Sequence, residues 1–129
     1  MKEPVFLTVE FVSRLHDRSL HEYGGLAGLR EPGLLDSAVA QAEATYFYRR
    51  GDLFEIAAAY AFHIAENQPY LDGNKRTAIS AALTFLEING HDIARFSGVK
   101  LYDAMIGVAE KRLNKTGLAQ VFRELAQPS

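Results

Sequence analysis

Apolar residues recur at three- and four-residue spacings along most of the chain, and each run is closed by a capping residue or a glycine. Residues 4–7 read as a short extended lead-in. Thr8 is an N-cap candidate with Glu10 in the first turn, and Val9, Val12, His16 and Leu20 then approximate one helical face that stops at Tyr23-Gly24-Gly25. After the glycine-rich stretch 24–33, Pro32 suits a first helical turn, and Leu34, Leu35, Ala38, Val39 and Ala42 mark a second helix to about Thr45. Residues 46–51 read as an exposed loop or short hairpin carrying aromatics. Asp52 caps a third helix with Leu53, Ile56, Ala57, Tyr60, Ala61 and Ile64 inward.

The next run is the most apolar. From Thr77 to Ile88 its polar residues Thr77, Ser80, Thr84 and Glu87 fall at spacings of three, four and three, leaving one narrow polar stripe. A helix apolar nearly all round is buried, so this one is predicted as the central helix. Asn89-Gly90 ends it. Residues 91–96 read as irregular or briefly extended. Ser97 caps a fifth helix with Leu101, Met105, Val108 and Ala109 inward. Thr116 or Asn114 caps a sixth with Leu118, Val121, Phe122 and Leu125 on one face, and Pro128 lies past its end. The prediction is an all-α bundle of about six helices around a buried central helix, one domain spanning 1–129.

Composition narrows the function classes. At 129 residues, with 48% hydrophobic and 23% charged residues, the chain has the make-up of a soluble single domain. It has no cysteine, which excludes disulfides, thiolate zinc sites and a cysteine nucleophile, and fits a reducing cytoplasm. No signal-peptide pattern opens it and no apolar run approaches membrane-spanning length. A net charge of −2 argues against a nucleic-acid binder, although Lys75-Arg76 is a local basic pair.

The candidate chemistry sits in Asn67–Arg76, just ahead of the apolar helix. Pro69 and Asp72-Gly73 are loop and turn chemistry, and Asn74 is a candidate cap. A helix N-terminus offers free N–H groups and partial positive charge; Lys75 and Arg76 beside it make an anion site suited to phosphate, and Asp72 could hold a divalent cation bridging phosphates. A solvated, well-capped helix start would carry the same residues. His16 and His21 are five apart, about 140° around a helix, so they form no metal face and read as packing or surface residues. His63 reads as structural, with a chemical base as the alternative.

Gln68-Pro69-Tyr70-Leu71-Asp72-Gly73-Asn74-Lys75-Arg76 resembles the Fic family signature, His-Pro-Phe-x-Asp-Gly-Asn-(Gly or Lys)-Arg. The Lys75 form is similar to the death-on-curing (Doc) toxin branch, as are Phe6–Glu10, Tyr23–Gly25, Gly33–Ala38, Asp52–Glu55 and Phe85–Gly90. The resemblance implies a Fic-fold, nucleotide-dependent transferase using ATP and Mg²⁺. In the Doc branch it implies a protein kinase that moves the γ-phosphate to a threonine of translation elongation factor Tu and stops translation. It also implies an antitoxin partner whose C-terminal segment crosses the groove. Carried over by position, Asp72 would hold Mg²⁺, Asn74 and the N–H groups of Gly73 to Lys75 would cradle phosphate, and Lys75 and Arg76 would neutralise its charge. Tyr70 would replace the Phe that anchors the loop.

Two departures matter. The AMP-transferring motif continues with a second Arg three positions on, where this chain has Ile79; with Lys75 this favours phosphoryl over AMP transfer. The other is Gln68, which stands where the family has its catalytic histidine. An amide orients a hydroxyl but cannot usefully accept its proton, and losing a general base typically costs about 10²–10⁴-fold. The chain is therefore expected to be inactive or impaired in transfer while still binding nucleotide and partner. A deliberately silenced toxin, a naturally inactive relative and a site with another base all fit. The rival readings are a catalytically silent module that binds an antitoxin peptide or a nucleotide, and a small DNA-binding helical protein.

Overall fold

The computed structural model describes residues 2–127, which leaves Pro128 outside the described residues. Within them the chain forms six α-helices and no strand: α1 (Val9–Tyr23), α2 (Pro32–Phe47), α3 (Leu53–Asn67), α4 (Asn74–Ile88), α5 (Gly98–Ala109) and α6 (Lys115–Ala126). The all-α, six-helix expectation therefore holds.

Local signals fix most boundaries. The Thr8 hydroxyl accepts from the Phe11 N–H at 3.0 Å. Asp52 and Glu55 form a reciprocal capping box at 2.8 and 3.0 Å. Ser97 caps α5, and Asn114, rather than Thr116, caps α6. At the end of α4, Gly90 (φ +100) and His91 donate back to Glu87 and Leu86, the paired bonds of a Schellman stop. The lead-in is pinned at both ends: Leu7 N–H donates to the buried Tyr60 hydroxyl at 2.8 Å, and the Asn89 amide brackets Val5 through its N–H and C=O at 2.8 and 2.9 Å.

Three expectations change. First, α2 runs to Phe47 rather than about Thr45, and Tyr46-Phe47 is its last turn, not a hairpin. The reason is packing: Phe6 comes back against both rings, at centroid distances of 5.9 and 5.6 Å, so the turn gains a tertiary partner. Second, α4 starts at Asn74, with Gly73 in the cap position. Third, the most enclosed helix is α3. It packs on α2, α4, α5 and α6, whereas α4 packs on α1, α3 and α5. Residues 56–61 of α3 are fully buried. Ala57-Ala58-Ala59 is the cause, since small side chains let helices close in from every side. On α4 the expected stripe survives in part: Thr77 is buried, Ser80 and Thr84 are half-buried, and Glu87 is exposed.

Candidate active site

Between the end of α3 and the start of α4 lies the loop 68–73. Three devices give it one shape. Arg30 N–H donates to Pro69 O at 2.6 Å and Leu71 N–H to Gly28 O at 3.0 Å, a one-residue antiparallel bridge between Leu29 and Tyr70. The Arg30 guanidinium then donates to the carbonyls of Gln68 and Asn67 at 2.9 and 2.8 Å. These are the orphan carbonyls of the α3 end, so a cation there is doubly favourable. Asn74 closes the loop from the other side: its amide accepts from Tyr70 N–H and donates to Tyr70 O, both at 3.0 Å.

The Asn74 side chain is thus spent on the loop, not on capping α4. Gly73 N–H is also committed, donating to its neighbour Asp72 at 2.9 Å. The N–H groups of Asn74, Lys75 and Arg76 are left without a hydrogen-bond partner among the described residues, because the α4 ladder begins with Thr77 N–H to Gly73 O. The free helix end expected from the sequence exists, displaced by one residue from the Gly73–Lys75 cradle.

Tyr70 is buried, its hydroxyl 3.0 Å from that of Ser13, and burial pushes its pKa up. His16, also buried, lies against Tyr70, and its Nε2–H donates to Asp72 O at 2.7 Å. A carbonyl only accepts, so that nitrogen carries the proton. His16 is therefore a packing residue, as expected, but one that holds the motif loop. His21 is exposed.

The remaining motif residues surround an open cleft of about 510 Å³ lined by Gln68, Asp72, Gly73, Asn74, Lys75 and Arg76 on one side and by Tyr102, Val108 and Lys111 on the other. Asp72 accepts from Leu26 N–H at 3.1 Å and from Gly73 N–H, and these two bonds hold its carboxyl below the usual carboxylate range, with Arg76 adding to the effect. It is ionised at neutral pH. Arg76 donates to Gly24 O at 3.0 Å and lies over the Tyr23 ring, tying α4 to the end of α1. Lys75 is exposed and makes no ion pair among the described residues. Gln68 is exposed in a left-handed conformation (φ +48) at the end of α3. His63 lines no part of the cleft; it faces α6, with Lys115 Nζ 3.1 Å from its Nε2. It cannot stand in for a base at position 68.

A divalent cation fits this donor set in one way. No group of three or more metal-ligating side chains occurs among the described residues, so the protein offers no cage. Asp72 is a single ionised, exposed carboxylate beside a free helix end. That suits Mg²⁺, which takes one or two carboxylates and completes its shell with waters and substrate phosphates.

The sequence assigned no part in the site to His16, read only as a packing or surface residue, to Gly25, read only as a helix stop, or to Arg30. A side chain on Gly25 (φ +122) would meet Asp72 at 2.8 Å, so the glycine makes room for the carboxylate. Arg30 gave no local signal, since its partners lie 37 and 38 residues away. His16 did give one: a polar residue on a helix's apolar face needs a partner.

Residues 6–86 match the Fic/DOC family. Over 120 residues the chain is 33% identical to a protein named "Protein kinase doc" from Escherichia phage P1, covering 92% of this chain and 94% of that one. Over 102 residues it is 41% identical to a protein named "Toxin Doc" from Mycolicibacterium smegmatis, covering 75% of this chain and 77% of the relative. No helix among the described residues is long and apolar enough to cross a membrane.

Proposed function

The chain belongs to the Fic/Doc family, and on that premise we propose that it is the toxin of a toxin–antitoxin pair. Its reaction is transfer of the γ-phosphoryl group of ATP to a hydroxyl of a protein target, with Gln68 leaving the chain impaired in that step. The observation that carries the reading is the free N-terminus of α4, facing an open cleft with Asp72, Lys75 and Arg76 beside it. The name of the phage relative, a protein kinase, points the same way.

Phosphoryl transfer asks a protein mainly for positioning and charge stabilisation. The N–H groups of Asn74 and Lys75 hold phosphate oxygens, and Lys75 and Arg76 offset the charge. Asp72 would hold Mg²⁺, and the ion would supply positive charge against the phosphate tail. The target oxygen bonds to the γ-phosphorus as the bond to the bridging oxygen breaks, and ADP leaves. The hydroxyl proton must then be accepted. Gln68 can orient that hydroxyl but has no useful basicity, so the rate falls by about 10²–10⁴-fold relative to a histidine. The target of choice is a threonine of elongation factor Tu in the cytoplasm. The partner is an antitoxin whose C-terminal segment lies in the groove. Lys75 and Ile79 weigh against AMP transfer.

Gln68 also favours a second reading, a silent module that binds antitoxin or nucleotide without turnover. The test is a transfer assay with elongation factor Tu and Mg²⁺-ATP labelled at the α- or γ-phosphate, using this chain and its Gln68→His variant. Label from γ with the variant alone supports a kinase silenced at Gln68. Label from α overturns the kinase reading in favour of AMP transfer. Nucleotide binding without label in either chain moves the assignment to the silent module.

A further inference from the structure

The turn after α5 carries a lysine where a glycine would be expected. Lys111 follows the last residues of α5 in the left-handed region (φ +64), the conformation in which helices usually end on glycine because a Cβ is strained there. Its ammonium crosses to the last turn of α3 and meets both carboxylate oxygens of Glu66 at 2.7 and 2.6 Å. The lysine end of the pair stands in water, its side chain 71% exposed, while the Glu66 side chain is 25% exposed. An ion pair open to solvent at its lysine end contributes modestly, no more than the left-handed turn costs, so it does not by itself account for keeping a strained lysine.

Position supplies the account. Glu66 and Lys111 both line the cleft that holds Asp72, Lys75 and Arg76. Of the cations there, Arg76 is already committed to Gly24 O and the Tyr23 ring. Lys75 makes no ion pair among the described residues, and among them Lys111 is held by Glu66 alone. We infer that Lys111 is a further phosphate-binding cation of the cleft beside Lys75 and Arg76, masked by Glu66 in the free chain and released to the phosphate tail of a bound nucleotide. A doubly or triply charged tail outcompetes one carboxylate for a lysine, and a pair solvated at its lysine end opens at modest cost. The inference rests on the reading of the cleft as a nucleotide site.

Isothermal titration of Mg²⁺-ATP and of adenosine into the chain, Lys111→Gln, Glu66→Gln, the double variant and Lys75→Gln tests it. Lys111→Gln should weaken ATP about tenfold, the order of one charge-assisted hydrogen bond, and leave adenosine unchanged. Glu66→Gln should tighten ATP severalfold, and the double variant should lose that gain. Lys111→Gly should raise Tm by relieving the turn while still losing ATP affinity, which a merely structural lysine would not do. If the Glu66→Gln gain survives in the double variant, Glu66 acts by repulsion alone and the inference fails. If Lys75→Gln weakens ATP and Lys111→Gln does not, the inference falls while the nucleotide reading stands. Absence of ATP binding by the parent chain overturns both.

Discussion

The imidazole of His16 lies flat on the phenol ring of Tyr70, with centroids 3.7 Å apart and planes within 6° of parallel. Through this stack α1 reaches under the motif loop, and the same imidazole bonds the carbonyl of Asp72. One buried side chain thus fixes both the anchor of the loop and the backbone of the residue proposed to hold the cation. Tyr70 points into the core and Asp72 into the cleft; extended backbone would put positions two apart on one face, and the bend at Leu71-Asp72, just after the bridge to Leu29, turns them apart.

His16→Ala removes the stack and the bond to Asp72 O and leaves a void beneath Tyr70. We expect a loss of about 2–4 kcal/mol in unfolding free energy. Urea denaturation measures that cost, and nucleotide titration under folding conditions should show weakened binding as well. Full nucleotide affinity in a destabilised His16→Ala chain would show that the loop keeps its shape without the histidine.

Gly25→Ala tests the room left for Asp72. The new methyl would lie 2.8 Å from the carboxylate at a backbone angle that only glycine adopts freely. The expected cost is about 1–3 kcal/mol, with Asp72 displaced. Gly24→Ala is the control: its φ of +80 is also strained, but nothing lies within 4 Å. Both variants should lose stability, and only Gly25→Ala should reduce the Mg²⁺ dependence of nucleotide binding. Equal behaviour of the two would mean the contact with Asp72 is immaterial.

Asn74→Ala separates loop closure from ligand contact. The amide makes both of its bonds to Tyr70 backbone, so its loss should cost about 1–3 kcal/mol. It should also speed hydrogen exchange at the Tyr70 amide. Unchanged exchange there, with weaker nucleotide binding, would return the side chain to the role of a direct phosphate ligand.

How much of this was legible depends on the range of each interaction. Caps at Thr8, Asp52, Ser97 and Asn114 were readable because donor and acceptor lie three residues apart. The free helix end was readable because a turn followed directly by a helix leaves its first N–H groups unpaired, and Asp72, Lys75 and Arg76 line one cleft because they are neighbours in the chain. The extension of α2 to Phe47 was not, since Phe6 supplies the packing from 41 residues upstream. The primacy of α3 over α4 was hidden because a run of alanines scores weakly as hydrophobic yet packs most closely. Arg30 and Lys111 were invisible: each reaches its partner across the fold, and an exposed Arg or Lys carries no sequence mark of where it points.

His63 gives a prediction in pH. Burial, with the nearby Lys115 charge, lowers its pKa to about 4 from 6.5; Glu66 opposes the shift and Arg49 adds to it. In the unfolded chain the imidazole protonates near its ordinary value, so between these two values the unfolded state holds the extra proton. Stability contributed by the neutral imidazole is therefore complete above pH 6.5 and is lost as pH falls toward 4. Because His63 is only half-buried, solvent screening reduces the loss to about 1–2 kcal/mol. Unfolding free energies for the chain and for His63→Gln, taken from pH 8 down to 4, isolate this term from the carboxylates titrating in both. The difference between them should be flat above pH 7 and move in favour of the glutamine variant below it. Lys115→Gln should shrink that acid loss by raising the His63 pKa. Parallel curves over the whole range would mean that His63 protonates in the folded chain as readily as in the unfolded one.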